Sequence, residues 1–118
     1  MSLIKYNMFM TQDYDIEVYA TEQGKEPFNE WLGSLKDKKT KMPLLMRIQR
    51  LREGNFGDFK SFSGIYELRV DFGPGYRIYC AKIGNRLILL LGGGDKCTQD
   101  RDISKCKSYL EDHKKRVL

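Results

Sequence analysis

Hydrophobic positions change their period three times along this chain. Ile16, Val18 and Ala20 alternate with Glu17, Tyr19 and Thr21, the pattern of a short half-buried strand that Gly24 breaks. Pro27 suits a first helical turn, and Phe28, Trp31, Leu32 and Leu35 recur at i, i+3, i+4 and i+7, which predicts a helix. A second helix is predicted over roughly Thr40 to Glu53. In it Leu44, Leu45, Ile48 and Leu51 face inward, Pro43 sits in the first turn, and Gly54 supplies a left-handed C-cap.

From Phe56 onward the period is two. Tyr66, Leu68 and Val70 alternate with Glu67, Arg69 and Asp71; Gly73-Pro74-Gly75 reads as a turn; Tyr76, Ile78 and Cys80 then alternate with Arg77, Tyr79 and Ala81. Gly84-Asn85 signals a hairpin. The nearly continuous apolar run Arg86 to Leu91 has the character of a central strand covered on both faces, ended by Gly92-Gly93-Gly94. A last helix is predicted from about Thr98 to Lys115, with Ile103, Cys106, Leu110 and His113 on one face. The order strand, two helices, three or four strands, helix predicts an α+β fold with a mainly antiparallel central sheet.

Composition narrows the class. A length of 118 residues fits a single domain over 1–118, and 41% hydrophobic with 31% charged residues fits neither a disordered nor a membrane chain. The longest apolar run, Leu87 to Leu91, has five residues, against roughly 18 for a membrane span. Met1 to Met10 lack a basic region followed by a long apolar core, so no secretion signal is expected. Three cysteines without CxxC spacing speak against a disulfide framework and a structural zinc site. A cytoplasmic location is expected. The net charge of +5 is uneven: residues 1–34 carry −4 and residues 35–62 carry +5. Such a middle either handles a polyanion or is a solvated lysine-rich helix face.

The candidate chemistry comes from strand register. Burying both apolar sets of the central hairpin requires Val70 opposite Tyr76, Leu68 opposite Ile78 and Tyr66 opposite Cys80, because a slip of one residue turns a whole set outward. The same register sets Arg69 opposite Arg77 and Glu67 opposite Tyr79, with Arg77 projecting from the outer face. Like charges opposed across strands repel. The pair is therefore neutralised by Glu67 or Asp71, holds an anion, or splays apart into solvent. With a tight Gly84-Asn85 turn, Ile83 pairs with Arg86 and Arg77 falls near Gly92, which brings Lys96 beside both arginines at a glycine-rich edge. No P-loop, GxSxG or HExxH motif is present, and the single histidine, His113, reads as structural. Asp100 and Asp102 suit the first turn of a helix. Cys80 and Cys106 fall on apolar faces, and Cys97 is placed near Lys96.

These residues carry a resemblance. The elements ELR (Glu67–Arg69), GPGYR (Gly73–Arg77) and GGDKxTQDRDI (Gly93–Ile103), preceded by FNEWL and LREGNFGD, resemble the RelE/HigB-type toxin superfamily, and within it the phage-derived addiction module killer protein branch. The similarity covers about residues 16–115. It implies a RelE-like fold and the toxin of a toxin–antitoxin module. Such toxins are mRNA endoribonucleases (mRNA interferases) that need no cofactor or metal. The implied partners are mRNA, the ribosome and a cognate antitoxin protein of helix-turn-helix type, with no membrane.

By position the family's RNA-cleaving basic residues match Arg69, Arg77 and Lys96. Two departures stand out. Some relatives place a lysine where Arg69 stands, and some carry a tyrosine or histidine where this chain reads Asp100-Arg101-Asp102. The expected reaction is attack of a ribose 2′-hydroxyl on the adjacent phosphate. Arg77 would clamp the phosphate and Arg69 offset the developing charge. Lys96 is the titratable group, with Tyr79 as the alternative proton carrier. Lys38, Lys39, Lys41, Arg47 and Arg50 are expected to bind flanking RNA through phosphates. The alternative is a non-catalytic RNA- or antitoxin-binding module acting as a corepressor.

Overall fold

In the computed structural model, which describes residues 13–117, the chain runs β1 (Asp15–Val18), α1 (Pro27–Ser34), α2 (Lys38–Arg52), β2 (Phe59–Phe62), β3 (Ile65–Val70), β4 (Tyr76–Ile83) and β5 (Leu87–Asp95). A single 3-10 turn (Lys96–Thr98) and α3 (Gln99–Arg116) follow. The expectation about a signal in Met1 to Met10 lies outside the described residues. The strands form one sheet in the order β1-β5-β4-β3-β2. β2 to β5 are an antiparallel meander, whereas β1 pairs parallel to β5, from Asp15 opposite Leu87 to Val18 opposite Leu90. The fold is thus α+β with a mixed five-stranded sheet and three helices. No helix among the described residues is long and apolar enough to cross a membrane.

Period-two strands bury both their faces here because helices cover both. On one side Leu68, Val70, Ile78, Cys80, Ile88 and Leu90 meet Phe28, Leu44 and Leu51 of α1 and α2. On the other, Ile65, Tyr79, Ala81, Leu89 and Leu91 meet Cys106 and Leu110 of α3. Tyr19, on the polar side of the first strand by its alternation, is buried against α3 for this reason. Its ring stacks on Tyr109 at 5.0 Å.

The β3–β4 register is the one that the apolar pattern requires, with Arg69 opposite Arg77. The β4–β5 register differs from expectation. Ile83 pairs with Leu87, and a bulge between Tyr79 and Cys80 adds a further shift, so Arg77 faces Gly94 instead of Gly92. Nor do the three glycines end the strand, which continues to Asp95. A Cβ on Gly93 would collide with the Trp31 ring, one on Gly94 with Asp102, and one on Gly92 would lie 3.0 Å from the Cys106 sulfur. Close packing on both faces of β5 explains the run.

Helix α2 begins at Lys38, where Asp37 accepts the Lys39 amide at 3.0 Å. Pro43 therefore lies in the second turn and removes one helical hydrogen bond there. Leu45, expected inside, is 46% exposed, and Arg47 takes the inward place. One residue on from Leu44 the helix has turned about 100°, whereas Arg47, Ile48 and Leu51 stay within about 60° of it.

A polar clasp holds the end of α3 to the residues after β1. The Tyr19 hydroxyl donates to Asp112 at 2.5 Å, Arg116 lies 2.8 Å from the same carboxylate, and Arg116 also donates to the Ala20 carbonyl. The Tyr19 hydrogen bond first, and Arg116 second, hold the Asp112 carboxyl below its usual pKa. A depressed folded value means that the contribution is full above the ordinary aspartate pKa and is lost as pH falls through the folded one. Asp112→Asn should melt below the parent protein at neutral pH, and the gap should close as pH falls from about 5 to below the ordinary aspartate pKa. Thermal unfolding across that range checks it, and molar salt should shrink the gap, since the clasp is solvent-exposed.

Candidate functional site

The register that buries Leu68 against Ile78 sets Arg69 beside Arg77 at the turn end of the central hairpin. Both line a cleft of about 370 Å³ with Asp58, Asp71, the Gly73-Pro74-Gly75 turn and Lys96. Three cations singled out in the sequence therefore meet in one place. Gly75 takes a φ of 85°, which favours glycine, and its carbonyl accepts Arg77 Nη1 at 2.8 Å. The extension of β5 through its glycines to Asp95, opposite Tyr76, delivers Lys96. The Asp95 carboxylate accepts the amides of Cys97 at 2.8 Å and Thr98 at 3.2 Å, so Lys96 opens a capped turn.

The two arginines are compensated by different carboxylates. Arg69 Nη1 lies 3.7 Å from Asp58 Oδ1, and Arg77 Nε lies 3.4 Å from Glu67 Oε2. Of the neutralising groups considered from sequence, Glu67 serves Arg77; Asp58 was not foreseen. Arg77 does not project into solvent, since its side chain is only 12% exposed. The Nε atoms of both arginines are buried and hydrogen-bond to nothing among the described residues; Arg77 Nε faces Glu67 at ion-pair distance without a hydrogen bond.

Tyr79 does not reach the cleft. It shares the face of Arg77, but α3 covers that face, leaving Tyr79 fully buried with its hydroxyl donating to Glu67 Oε2 at 3.2 Å. Burial first, and Glu67 second, push its phenol pKa up, so it is corrected from proton carrier to structural donor. Lys96 stands exposed at the rim. Gln99 was missed, and Glu67 was considered only as a neutralising group: Gln99 Nε2 donates to Glu67 Oε2 at 2.7 Å. The pairing of Glu67 with Tyr79 was readable from register, but its burial depends on where α3 lies.

Arg47 needs a second correction. It is 5% exposed, donating from Nε to the Arg69 carbonyl at 3.3 Å and from Nη2 to the Asp58 carbonyl at 2.8 Å. Burial lowers its pKa, and its guanidinium, tied to two backbone carbonyls, lines the adjoining groove instead of standing free on the helix surface. Lys38, Lys39 and Arg50 are exposed on α2, and Lys41 is half-buried. A groove of about 670 Å³, lined by Lys39, Met42, Met46, Arg50 and Phe72, adjoins the cleft and shares Asp58, Arg69 and Asp71 with it. Cys80 and Cys106 are buried, their thiols pushed up to about 12 by burial, and Cys97 is exposed beside Lys96.

A protein of Haemophilus influenzae is 51% identical to this chain over 86 residues, covering 72% of the chain and 87% of the relative. The two belong to one family. The relative is described as "Uncharacterized protein", so membership brings no activity with it. No protein-family model matches the chain.

Removing Arg77 strands the Glu67 carboxylate. Arg77→Ala should cost about 3 kcal/mol of stability, because an unpaired buried charge remains. Glu67→Gln in the same background should recover most of that loss, measured by urea unfolding of the single and double variants.

Proposed function

We propose that this chain is a RelE/HigB-type toxin with a RelE-like fold, an mRNA endoribonuclease acting in the cytoplasm on translated message. The observation that carries the reading is the convergence of Arg69, Arg77 and Lys96 on one cleft. Two guanidinium side chains from paired strands that line one cleft are suited to an anion shared between them. A phosphodiester is such an anion. In the proposed reaction the ribose 2′-oxygen forms a bond to phosphorus while the bond to the 5′-oxygen breaks. Products are a 2′,3′-cyclic phosphate and a free 5′-hydroxyl.

Arg77 clamps the scissile phosphate and Arg69 meets the charge that grows on its oxygens. Asp71, which also lines the cleft, is a carboxylate able to accept the 2′-hydroxyl proton. Lys96, as an ammonium, returns a proton to the departing 5′-oxygen. Lys38, Lys39, Lys41 and Arg50 hold flanking RNA or ribosomal RNA through phosphates. A cognate antitoxin of helix-turn-helix type is the protein partner that would silence the cleft.

A second reading, a non-catalytic RNA- or antitoxin-binding corepressor, is favoured by the burial of Tyr79, which takes one proton carrier away from the cleft. Incubating the protein with programmed ribosomes and mapping the message by primer extension separates the two. Cuts within codons support the enzyme; intact message with retained binding supports the corepressor.

Lys96→Arg is expected to keep RNA affinity within about threefold while cleavage falls at least about 100-fold, since arginine holds its protons too tightly to act as an acid. Equal cleavage by the variant would reduce Lys96 to an electrostatic contact. RNA affinity should also fall steeply with salt, and Lys39→Ala should lower the slope of log affinity against log salt by about 0.7. Filter binding between about 50 and 200 mM salt measures both.

A further inference from the structure

Glu67 is fully buried and takes no part in lining the cleft. A carboxylate in that setting demands compensation from a cation and from hydrogen-bond donors. Arg77 Nε lies 3.4 Å from its Oε2, and the same oxygen accepts from Gln99 at 2.7 Å and from Tyr79 at 3.2 Å. At its other end the Arg77 guanidinium is tied by Nη1 to the Gly75 carbonyl at 2.8 Å. One edge thus faces Glu67 and one amino group is held by the turn, which leaves its remaining N–H groups for the cleft. Directly across the strands stands Arg69, whose like charge would push an untethered Arg77 aside.

We propose that Glu67 is a positioning residue for Arg77. Its carboxylate cancels the repulsion from Arg69 and fixes the plane in which the Arg77 guanidinium meets an anion. Gln99, at the start of α3, and Tyr79 hold that carboxylate in turn. Because Glu67 is sealed beneath the sheet face and absent from the cleft lining, it exchanges no proton with a ligand. The effect on cleavage rests on the endoribonuclease reading; the orientation of Arg77 does not.

Glu67→Gln in the full-length protein tests this, since the amide preserves shape and removes charge. The first readout needs no substrate: the 15N–1H signal of the Arg77 side-chain Nε–H, assigned by its disappearance in Arg77→Lys. In the parent protein it should be a resolved, slowly exchanging resonance. In Glu67→Gln it should move toward the signals of exposed arginines and exchange with water at least about tenfold faster. The second readout is cleavage on programmed ribosomes, where kcat should fall about 100-fold, as for loss of an oriented oxyanion donor, with KM changed less than about threefold. Should Glu67→Gln fail to fold, Gln99→Met loosens the carboxylate from its partly buried outer side and should move both readouts the same way by about tenfold.

An unmoved Arg77 signal in a folded variant would overturn the proposal, as would a rise in KM with kcat unchanged. If the parent protein cleaves no message, the endoribonuclease reading falls, and the Arg77 signal still decides the role of Glu67.

Discussion

Pairing of Leu68 with Ile78 on the central hairpin determines the face of every side chain along β3 and β4, because side chains alternate without exception on a regular strand. Leu68, Val70, Ile78 and Cys80 go to one core, and Glu67, Arg69, Arg77 and Tyr79 go together to the other side. Hydrophobic burial thereby enforces an electrostatically costly arrangement, two guanidinia abreast. The rest of the site can be understood as what makes that arrangement tolerable. Glu67 and Asp58 supply negative charge, and Arg47 ties the backbone at Arg69 and Asp58 from the opposite side of the sheet.

Compensation is incomplete. Glu67 Oε1 and both arginine Nε atoms are buried without hydrogen bonds among the described residues. Buried polar groups are normally satisfied, and each exception calls for an explanation. Here they lie beside the cleft lined by Arg69, Arg77 and Lys96. Stability and the shape of the cleft draw on the same residues. Arg77 neutralises a buried carboxylate and also lines the cleft, so its removal disturbs both at once.

What could be read from the sequence was whatever a period of two or 3.6 dictates. The Arg69–Arg77 pairing followed from apolar alternation alone, whereas the triglycine read as the end of a strand and not as a stretch packed on both faces. What approaches it was not readable: Trp31, Cys106 and Asp102 come from helices remote in the chain. Alternation also says which face a residue occupies but not whether a helix covers that face. Tyr79 and Arg77 share a side, and only the course of α3 separates a sealed phenol from a guanidinium at a cleft. Arg47 was misplaced for a related reason, since a basic residue between leucines looks like the polar flank of a helix until two backbone carbonyls are brought within its reach. The bulge at Tyr79 and Cys80 leaves no mark in local composition, and together with the Ile83–Leu87 pairing it moved Arg77 from Gly92 to Gly94.

The parallel pairing of β1 with β5 has a bearing on how the protein is born. β1 is the first of these elements to be synthesised, and among the described residues it pairs with the last strand to be made. Contacts so distant in sequence form late, because the intervening chain must be closed into a loop first. The cleft has the same timing: Lys96 follows β5 directly, and the Gln99 amide that grips Glu67 opens the final helix. A nascent chain stalled before Gln99 carries both arginines but neither the grip on the Glu67 carboxylate nor the helix that covers its face of the sheet. If the protein acts on the machinery that makes it, its own elongation is shielded, because the competent cleft comes into existence only after translation has passed through every strand.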